Sequence, residues 1–116
     1  MLIKTHTSAV VGVEATVVNV EINIDQGINF FLVGLPDSSV KESQHRIYAA
    51  LKNNAYKWPG YRITINLSPA DLRKEGSAYD LPIAIGVLAA SKQIKVVNLE
   101  DYLFLGELSL DGGLMP

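Results

Sequence analysis

The chain has 116 residues, the size of one domain, and 48% of them are hydrophobic, which is enough to supply a buried core. Ten Lys and Arg against twelve Asp and Glu give a net charge of −2, so any nucleic-acid contact would need a local basic patch. The absence of cysteine excludes disulfides and thiolate metal sites and fits a cytoplasmic protein. No signal peptide opens the sequence, and its longest apolar run is far shorter than the ~20 residues of a membrane span. We therefore expect a soluble, cytoplasmic domain with no membrane partner.

The first third of the chain predicts three strands. Residues 3–13 are rich in β-branched side chains, and residues 14–24 alternate apolar and polar side chains with a period of two. That alternation is typical of an antiparallel strand with one exposed face. Residues 25–27 form a turn, and residues 28–33 are the next strand. We expect the three strands to form a meander.

A first helix is predicted after the turn residues 34–36. Ser39 and Glu42 have the spacing of a capping box at its start. We expect the helix to end near Asn53 and Asn54, because Asn tolerates the left-handed conformation that terminates many helices.

The two faces of this helix differ in character. The apolar face consists of Val40, Ile47, Ala50 and Leu51. The other side carries the basic residues Lys41, His45 and Lys52. This basic face is either a contact surface for phosphates or an acidic partner, or simply a solvated helix surface.

The second half of the chain predicts a strand, a charged loop and a buried helix. Residues 61–67 alternate as a strand, and residues 80–90 form a helix that is apolar nearly all round and so belongs in the core. Pro82 is acceptable only in the first turn of that helix, which favours Asp80, give or take one residue, as its cap. Residues 102–108 predict a last strand, followed by an Asp-Gly-Gly turn and a hairpin arm that stops early. We expect the chain to be a piece of a longer protein.

Nucleotide and metal motifs are missing from the sequence. It contains neither a P-loop nor the GxGxxG pattern of dinucleotide-binding folds. His6 and His45 are far apart and have no metal-ligand spacing. We therefore expect no cofactor and no metal in this chain.

Ser77 raises the question of a serine–lysine nucleophile. A serine can be activated by a neutral lysine within hydrogen-bond reach. Lys74 lies in a charged loop, where its amine should stay protonated, and Lys92 lies ~22 Å away along the helix. We expect no catalytic residue, and a serine-type hydrolase or peptidase using Ser77 is the alternative.

Four stretches, residues 8–14, 33–43, 46–52 and 66–82, resemble the N-terminal domain of the Mg-chelatase-like AAA+ ATPases of the YifB/ComM type. The resemblance covers essentially the whole chain. It implies that an AAA+ module, which binds ATP and Mg, follows this domain in the parent protein. It also implies an ATP-driven homo-oligomeric ring, a hexamer, that acts on branched DNA during recombination in natural transformation.

The same domain is similar in fold to the proteolytic domain of Lon, an α/β sandwich of the ribosomal-protein-like class. When the Lon motif is laid over residues 74–78, its nucleophile position falls on Ala78, and Ser77 takes the place of a proline. The position of Lon's catalytic lysine lies beyond this chain. The resemblance therefore implies an inactive protease-like scaffold.

Together these observations predict one α+β domain over residues 1–116, a two-layer sandwich. We expect a mixed, mostly antiparallel sheet of about four to six strands with two helices on one face. We expect a non-catalytic accessory domain that aids ring assembly or DNA engagement, or one whose exposed sheet face docks on the ATPase ring. The candidate contacts with DNA or a partner are Lys41, His45, Lys52, Arg73 and Lys74.

Overall fold

A computed structural model describes residues 1–11, 14–69 and 77–115 of the chain. Its strands are β1 (Leu2–Val11), β2 (Glu14–Asp25), β3 (Phe30–Val33), β4 (Arg62–Ser68), β5 (Glu107–Leu108) and β6 (Leu114–Met115). Its helices are α1 (Asp37–Asn53) and α2 (Asp80–Ala90), and a short 3₁₀ helix spans Leu99–Asp101. This is an α+β fold, as predicted.

The main sheet has four strands in the order β1-β2-β4-β3. β1 pairs antiparallel with β2, β2 pairs antiparallel with β4, and β3 pairs parallel with β4. The mixed, mostly antiparallel sheet is confirmed, but the predicted three-stranded meander is wrong. Helix α1 carries the chain back after β3, so that β4 enters the sheet between β2 and β3 and runs parallel to β3.

One face of this sheet holds the core. The inward side chains of β2 and β4 alternate with exposed or half-buried ones and are fully buried: Val18, Val20, Ile22, Ile63, Ile65 and Leu67. They form a single cluster with the inner side chains of both helices. The opposite face of β2 and β4 is largely polar, with Asn19, Glu21, Thr64 and Asn66 among its residues. Both helices therefore pack on one face, as expected.

Helix α2 has the predicted bounds and is buried on nearly every side, which confirms that it belongs to the core. Helix α1 begins two residues before the predicted cap. Its N-cap is Pro36, with no side-chain cap, so Ser39 lies inside the helix and the capping-box prediction is wrong. The helix ends at Asn53 as expected, but the left-handed residue that follows is Ala55 rather than an asparagine.

The predicted strand over residues 102–108 is mostly wrong. Leu103 makes a single parallel bridge with His6, and the Phe104 amide donates a hydrogen bond to the His6 carbonyl at 2.9 Å. The chain then leaves the sheet because Gly106 pairs with the start of α2, donating to Ala78 O at 3.0 Å and accepting from Leu81 N at 3.1 Å. Only the last two predicted residues form a strand, β5, which pairs with β6 in a separate hairpin.

The predicted Asp-Gly-Gly turn closes this hairpin. The Asp111 carboxylate accepts hydrogen bonds from Ser109 Oγ and from the Gly113 amide, the latter at 2.9 Å. Asn53 and Asn54 at the end of α1 donate their side-chain amides to the carbonyls of Leu110 and Asp111, at 2.7 and 2.9 Å. The hairpin therefore packs across both helices, at the start of α2 and the end of α1.

Among residues 1–11, 14–69 and 77–115, we find no helix that combines the length and the apolar character needed to cross a membrane.

The Gly86→Ala variant should be destabilised. A Cβ atom at Gly86 would overlap Ile22 Cδ1 and lie 2.9 Å from Ile22 Cγ1, in a fully buried part of the core. Overpacking of this kind costs ~1–3 kcal/mol, more than the gain of up to ~1 kcal/mol from better helix propensity. Urea denaturation should show a lower free energy of unfolding. The matched control is Gly60→Ala, since a Cβ there meets nothing within 4 Å. Equal stability of the two variants would contradict the close packing of Gly86 against Ile22.

The hairpin turn should loosen in acid. The hydrogen bond from Ser109 Oγ, followed by that from the Gly113 amide, lowers the pKa of Asp111 below its usual value. These bonds hold at any pH above the ordinary aspartate pKa of about 3.9 and are lost as the pH falls through the lower folded-state pKa. An NMR titration of the Gly113 amide should therefore give a midpoint below 3.9. Ser109→Ala should raise that midpoint; an unchanged midpoint would contradict the assignment.

Candidate functional site

The parallel strands β3 and β4 end at the same edge of the sheet, and a helix follows each of them. In α/β arrangements this edge, at the carboxyl ends of the strands, is where binding sites usually form. The connection from β4 to α2 contains Arg73 and Lys74. Both lie in residues 70–76, outside the described part of the chain, so their role stays a prediction from the sequence.

The three other predicted contact residues lie together on α1. Lys41, His45 and Lys52 are all exposed. At about 100° of rotation per residue, they and Tyr48 fall within a strip about 60° wide along the helix. We call these four residues the α1 stripe. The structure therefore brings the predicted α1 residues onto one surface.

The α1 stripe is long and has free positive charge. Its two lysines are about 16 Å apart along the helix axis, at a rise of 1.5 Å per residue. Among the described residues, no carboxylate forms an ion pair with Lys41, His45 or Lys52. Lys52 Nζ lies 5.9 Å from the centre of the Tyr48 ring, close enough for a cation–π interaction.

The two ends of the stripe have different neighbours. Lys41 follows the first turn of α1, at the edge where β3 and β4 end. Lys52 is in the last turn, beside the hairpin contact made by Asn53. The start of α2 faces the part of α1 between these two ends, because Asp80 bonds to Ser43 and Arg46.

Asp80 is the main residue whose role the sequence did not reveal. It is the first residue of α2, but it makes no capping bond, and the N-cap position is Tyr79. Its carboxylate is fully buried and forms a bidentate pair with Arg46, with Nε at 2.6 Å from Oδ2 and Nη2 at 3.1 Å from Oδ1. Ser43 Oγ and the Leu108 amide also donate to it, at 2.7 and 3.2 Å. The N-cap position lies within the predicted margin of one residue, but the capping role expected of Asp80 is wrong, because its carboxylate bonds to α1 and β5 instead.

The signal for this pair was present in the sequence. Asp80 precedes an almost wholly apolar helix, and a carboxylate buried in such a setting needs a partner. Arg46 directly precedes Ile47 on the inner side of α1. The hydrogen bond to Asp80 raises the pKa of Arg46 above its usual value. The pair therefore locks α1 to α2, with the α1 stripe on the outer side.

The surroundings of Ser77 give no support for nucleophilic catalysis. Ser77 is half-buried and lines a cavity of about 310 Å³ with Ala78, Leu105, Gly106, Glu107 and Met115. None of these lining residues is a histidine or a lysine. Lys74 lies outside the described residues. The side chains placed around Ser77 in the described part of the chain therefore include no base of the serine–lysine type.

In the part of the chain that the structure describes, no group of three or more His, Cys, Asp and Glu residues is placed to hold a metal ion. His6 Nδ1 lies 2.9 Å from Asn19 Oδ1, in a hydrogen bond across β1 and β2. His45 is on the α1 stripe, on the far side of the helix layer from that pair. The two histidines are therefore separate, as the sequence indicated.

Breaking the Asp80–Arg46 pair should destabilise the domain asymmetrically. The Asp80 side chain is 1% exposed and the Arg46 side chain 21%, so Arg46 can turn toward water when Asp80 is removed, whereas Asp80 cannot. We expect Asp80→Ala to cost ~3 kcal/mol and Arg46→Met to cost more. Urea denaturation of both variants and of the double variant measures this.

The double variant should cost less than the sum of the two single changes, because it leaves no unpaired charge behind. Asp101→Ala, at an exposed site, is the control and should change stability by no more than ~0.5 kcal/mol. Additive single effects would show that the two side chains are not coupled.

Comparison with known proteins places the chain in a family. The family model described as subunit ChlI of Mg-chelatase matches residues 20–116. The chain is 49% identical over 110 residues to the competence protein ComM of Haemophilus influenzae and to the uncharacterised protein YifB of Escherichia coli, covering 94% of this chain and 22% of each relative. It is 45% identical over 114 residues to an uncharacterised protein of Mycobacterium tuberculosis, covering 97% of this chain and 23% of that protein. The chain thus spans about a fifth of the length of these curated relatives. It belongs to the Mg-chelatase-like family that includes YifB and ComM.

Proposed function

We propose that this chain is a non-catalytic accessory domain of a Mg-chelatase-like AAA+ ATPase, and that it engages DNA through the α1 stripe. The observation that carries the proposal is the group of exposed basic residues Lys41, His45 and Lys52, which have no carboxylate partner among the described residues. Surface lysines without ion-pair partners suit a partner that carries negative charge along its length.

The dimensions of the stripe suit a sugar–phosphate backbone. A DNA strand carries one phosphate per ~3.4 Å of helix axis, so the ~16 Å between Lys41 and Lys52 is long enough to reach more than one phosphate of a strand. Contacts of this kind position a protein on DNA without reading its sequence. The chain as a whole is slightly acidic, with a net charge of −2, so binding should be confined to this local surface.

Arg73 and Lys74 extend the proposal as predictions from the sequence. They belong to the connection between the end of β4 and the start of α2. Lys41 lies at the same end of the sheet. A DNA strand on the α1 stripe would therefore be directed toward that connection.

The parent protein is proposed to supply the chemistry. The curated relatives are more than four times as long as the matched region, which leaves room for a module that binds ATP and Mg. The parent protein would form a homo-oligomeric ring, a hexamer, that acts as an ATP-driven DNA motor. This motor would be located in the cytoplasm. The name of the Haemophilus influenzae relative, a competence protein, supports a link to natural transformation. If DNA does not bind to this domain, the same stripe becomes a candidate surface for ring assembly.

Replacing the two stripe lysines should weaken DNA binding. We expect Lys41→Ala/Lys52→Ala to lower the affinity of the chain for single-stranded, duplex or forked DNA at low salt. The slope of log K against log salt should become shallower by about 2, because two phosphate contacts are lost. Fluorescence anisotropy over a range of salt concentrations measures both quantities.

The matched control is Lys57→Ala/Lys95→Ala, which removes the same charge from exposed sites outside α1. Equal losses in the two double variants would mean that only net charge matters. Failure of the unmodified chain to bind any of the three DNA forms would refute direct DNA contact and favour the assembly role.

A further inference from the structure

The two edges of the main sheet differ in how they are covered. The outer side of β1 is partly occupied, because Leu103 bridges His6 and the Phe104 amide donates to the His6 carbonyl. The other edge is β3. Within residues 1–11, 14–69 and 77–115, no hydrogen bond reaches the backbone of Phe30–Val33 from its outer side.

The ladder with β4 identifies the backbone groups that point outward. The Ile63 amide donates to Asn29 O at 2.9 Å, and Phe30 is the register partner of Ile63. Because successive residues of a strand direct their backbone groups to opposite sides, Phe31 and Val33 bond to β4. The N–H and C=O groups of Phe30 and Leu32 therefore face away from the sheet.

The chemistry of this edge is unusual for a surface strand. Residues 26–36 contain no charged side chain, and Phe31 and Val33 are 47% and 58% exposed. Natural sheets protect open edges with lysine, proline, bulges or covering segments. β3 contains neither of those residues, and its four residues keep an unbroken parallel register with β4. An uncharged apolar edge of this kind is suited to be covered by another strand.

We propose that β3 pairs antiparallel with β3 of a second copy of this chain, across a two-fold axis. Two observations select this occupant. A neutral strand meets its own copy without charge repulsion, whereas β1, the other edge, is bridged at His6 and carries the exposed Lys4, which opposes edge-to-edge growth there and favours a closed dimer. The pairing joins the main sheets of the two copies into one continuous sheet.

The outward-facing groups fix the register of this pairing. Phe30 pairs with the partner's Leu32, and Leu32 with the partner's Phe30, which gives about four backbone hydrogen bonds between the copies. Phe31 then lies opposite the partner's Phe31 as a non-hydrogen-bonded pair, with Cα atoms ~4.5 Å apart. Such close cross-strand aromatic pairs stabilise sheets. The small contact makes a weak dimer, whose population depends on protein concentration.

This contact differs from those of a ring. Neighbours in a cyclic ring use two different surfaces, whereas a two-fold pair uses the same surface twice. The ring proposed for the parent protein would therefore use another surface, and the dimer does not depend on DNA binding.

Sedimentation velocity over a concentration series tests the proposal. We expect the chain to dimerise as concentration rises, and Phe31→Lys to stay monomeric, because it places two like charges opposite each other on the axis. Val17→Lys is the matched control, since Val17 is 53% exposed on β2, away from this edge. It should dimerise like the unmodified chain. A monomer at every concentration, or a dimer that Phe31→Lys leaves intact, overturns the proposal.

A charge-swap experiment separates loss of pairing from loss of folding. Phe31→Lys and Phe31→Glu should each be monomeric, and an equimolar mixture should form a heterodimer, because opposite charges then face each other across the axis. Circular dichroism checks that both variants are folded. If the folded variants stay monomeric when mixed, Phe31 does not face its own copy and the register is wrong.

Hydrogen exchange provides a residue-specific readout. Amide protection at Phe30 and Leu32 should increase with protein concentration, because these N–H groups bond only in the dimer. The amides of Phe31 and Val33, already bonded to β4, should show much smaller changes. Concentration-independent exchange at Phe30 and Leu32 in a chain that dimerises would show that the copies meet through another surface.

Discussion

The buried carboxylate of Asp80 is the constraint around which the helical layer is built. It accepts four hydrogen bonds, from Ser43, from two nitrogens of Arg46 and from the Leu108 amide. These donors belong to α1 and β5, while Asp80 itself begins α2. A carboxylate in an apolar interior is costly unless such donors surround it, so the three elements hold their relative positions together. The hairpin, the two helices and the orientation of the α1 stripe all depend on this one group.

Local patterns predicted the elements better than their pairing. The period of two identified β2 and β4, and the apolar run with Pro82 near its start gave α2 with its observed bounds. The parallel pairing of β3 with β4 depends on a crossover through α1, which no local pattern contains. The strand predicted over residues 102–108 is mostly wrong for a similar reason, because hydrogen bonds with the start of α2 draw the chain out of the sheet. The Asp80–Arg46 pair joins residues 34 positions apart, a distance that helical periodicity does not address.

The candidate site shows the same division between local and long-range information. The common face of Lys41, His45 and Lys52 follows from helical spacing alone, and the structure places all three on the surface. Their position relative to α2 could be known only from the fold, which sets Asp80 at the start of α2 against the part of α1 between Lys41 and Lys52. The family assignment says which proteins this chain is related to without identifying a contact residue.

The attachment of α1 to α2 fixes the spacing of the residues on the outer surface of α1. Arg46, on its inner side, is held by two bonds to Asp80, and Asn53 and Asn54 hold its last turn to the hairpin. A helix anchored at both its middle and its end keeps the backbone of its outer residues fixed relative to the rest of the domain. A flexible basic tail adapts to any polyanion, whereas the proposed contact on a fixed helix would favour a partner whose charges match the positions of its basic residues. Recognition by α1 would thus depend on the shape of the partner's backbone more than on its total charge.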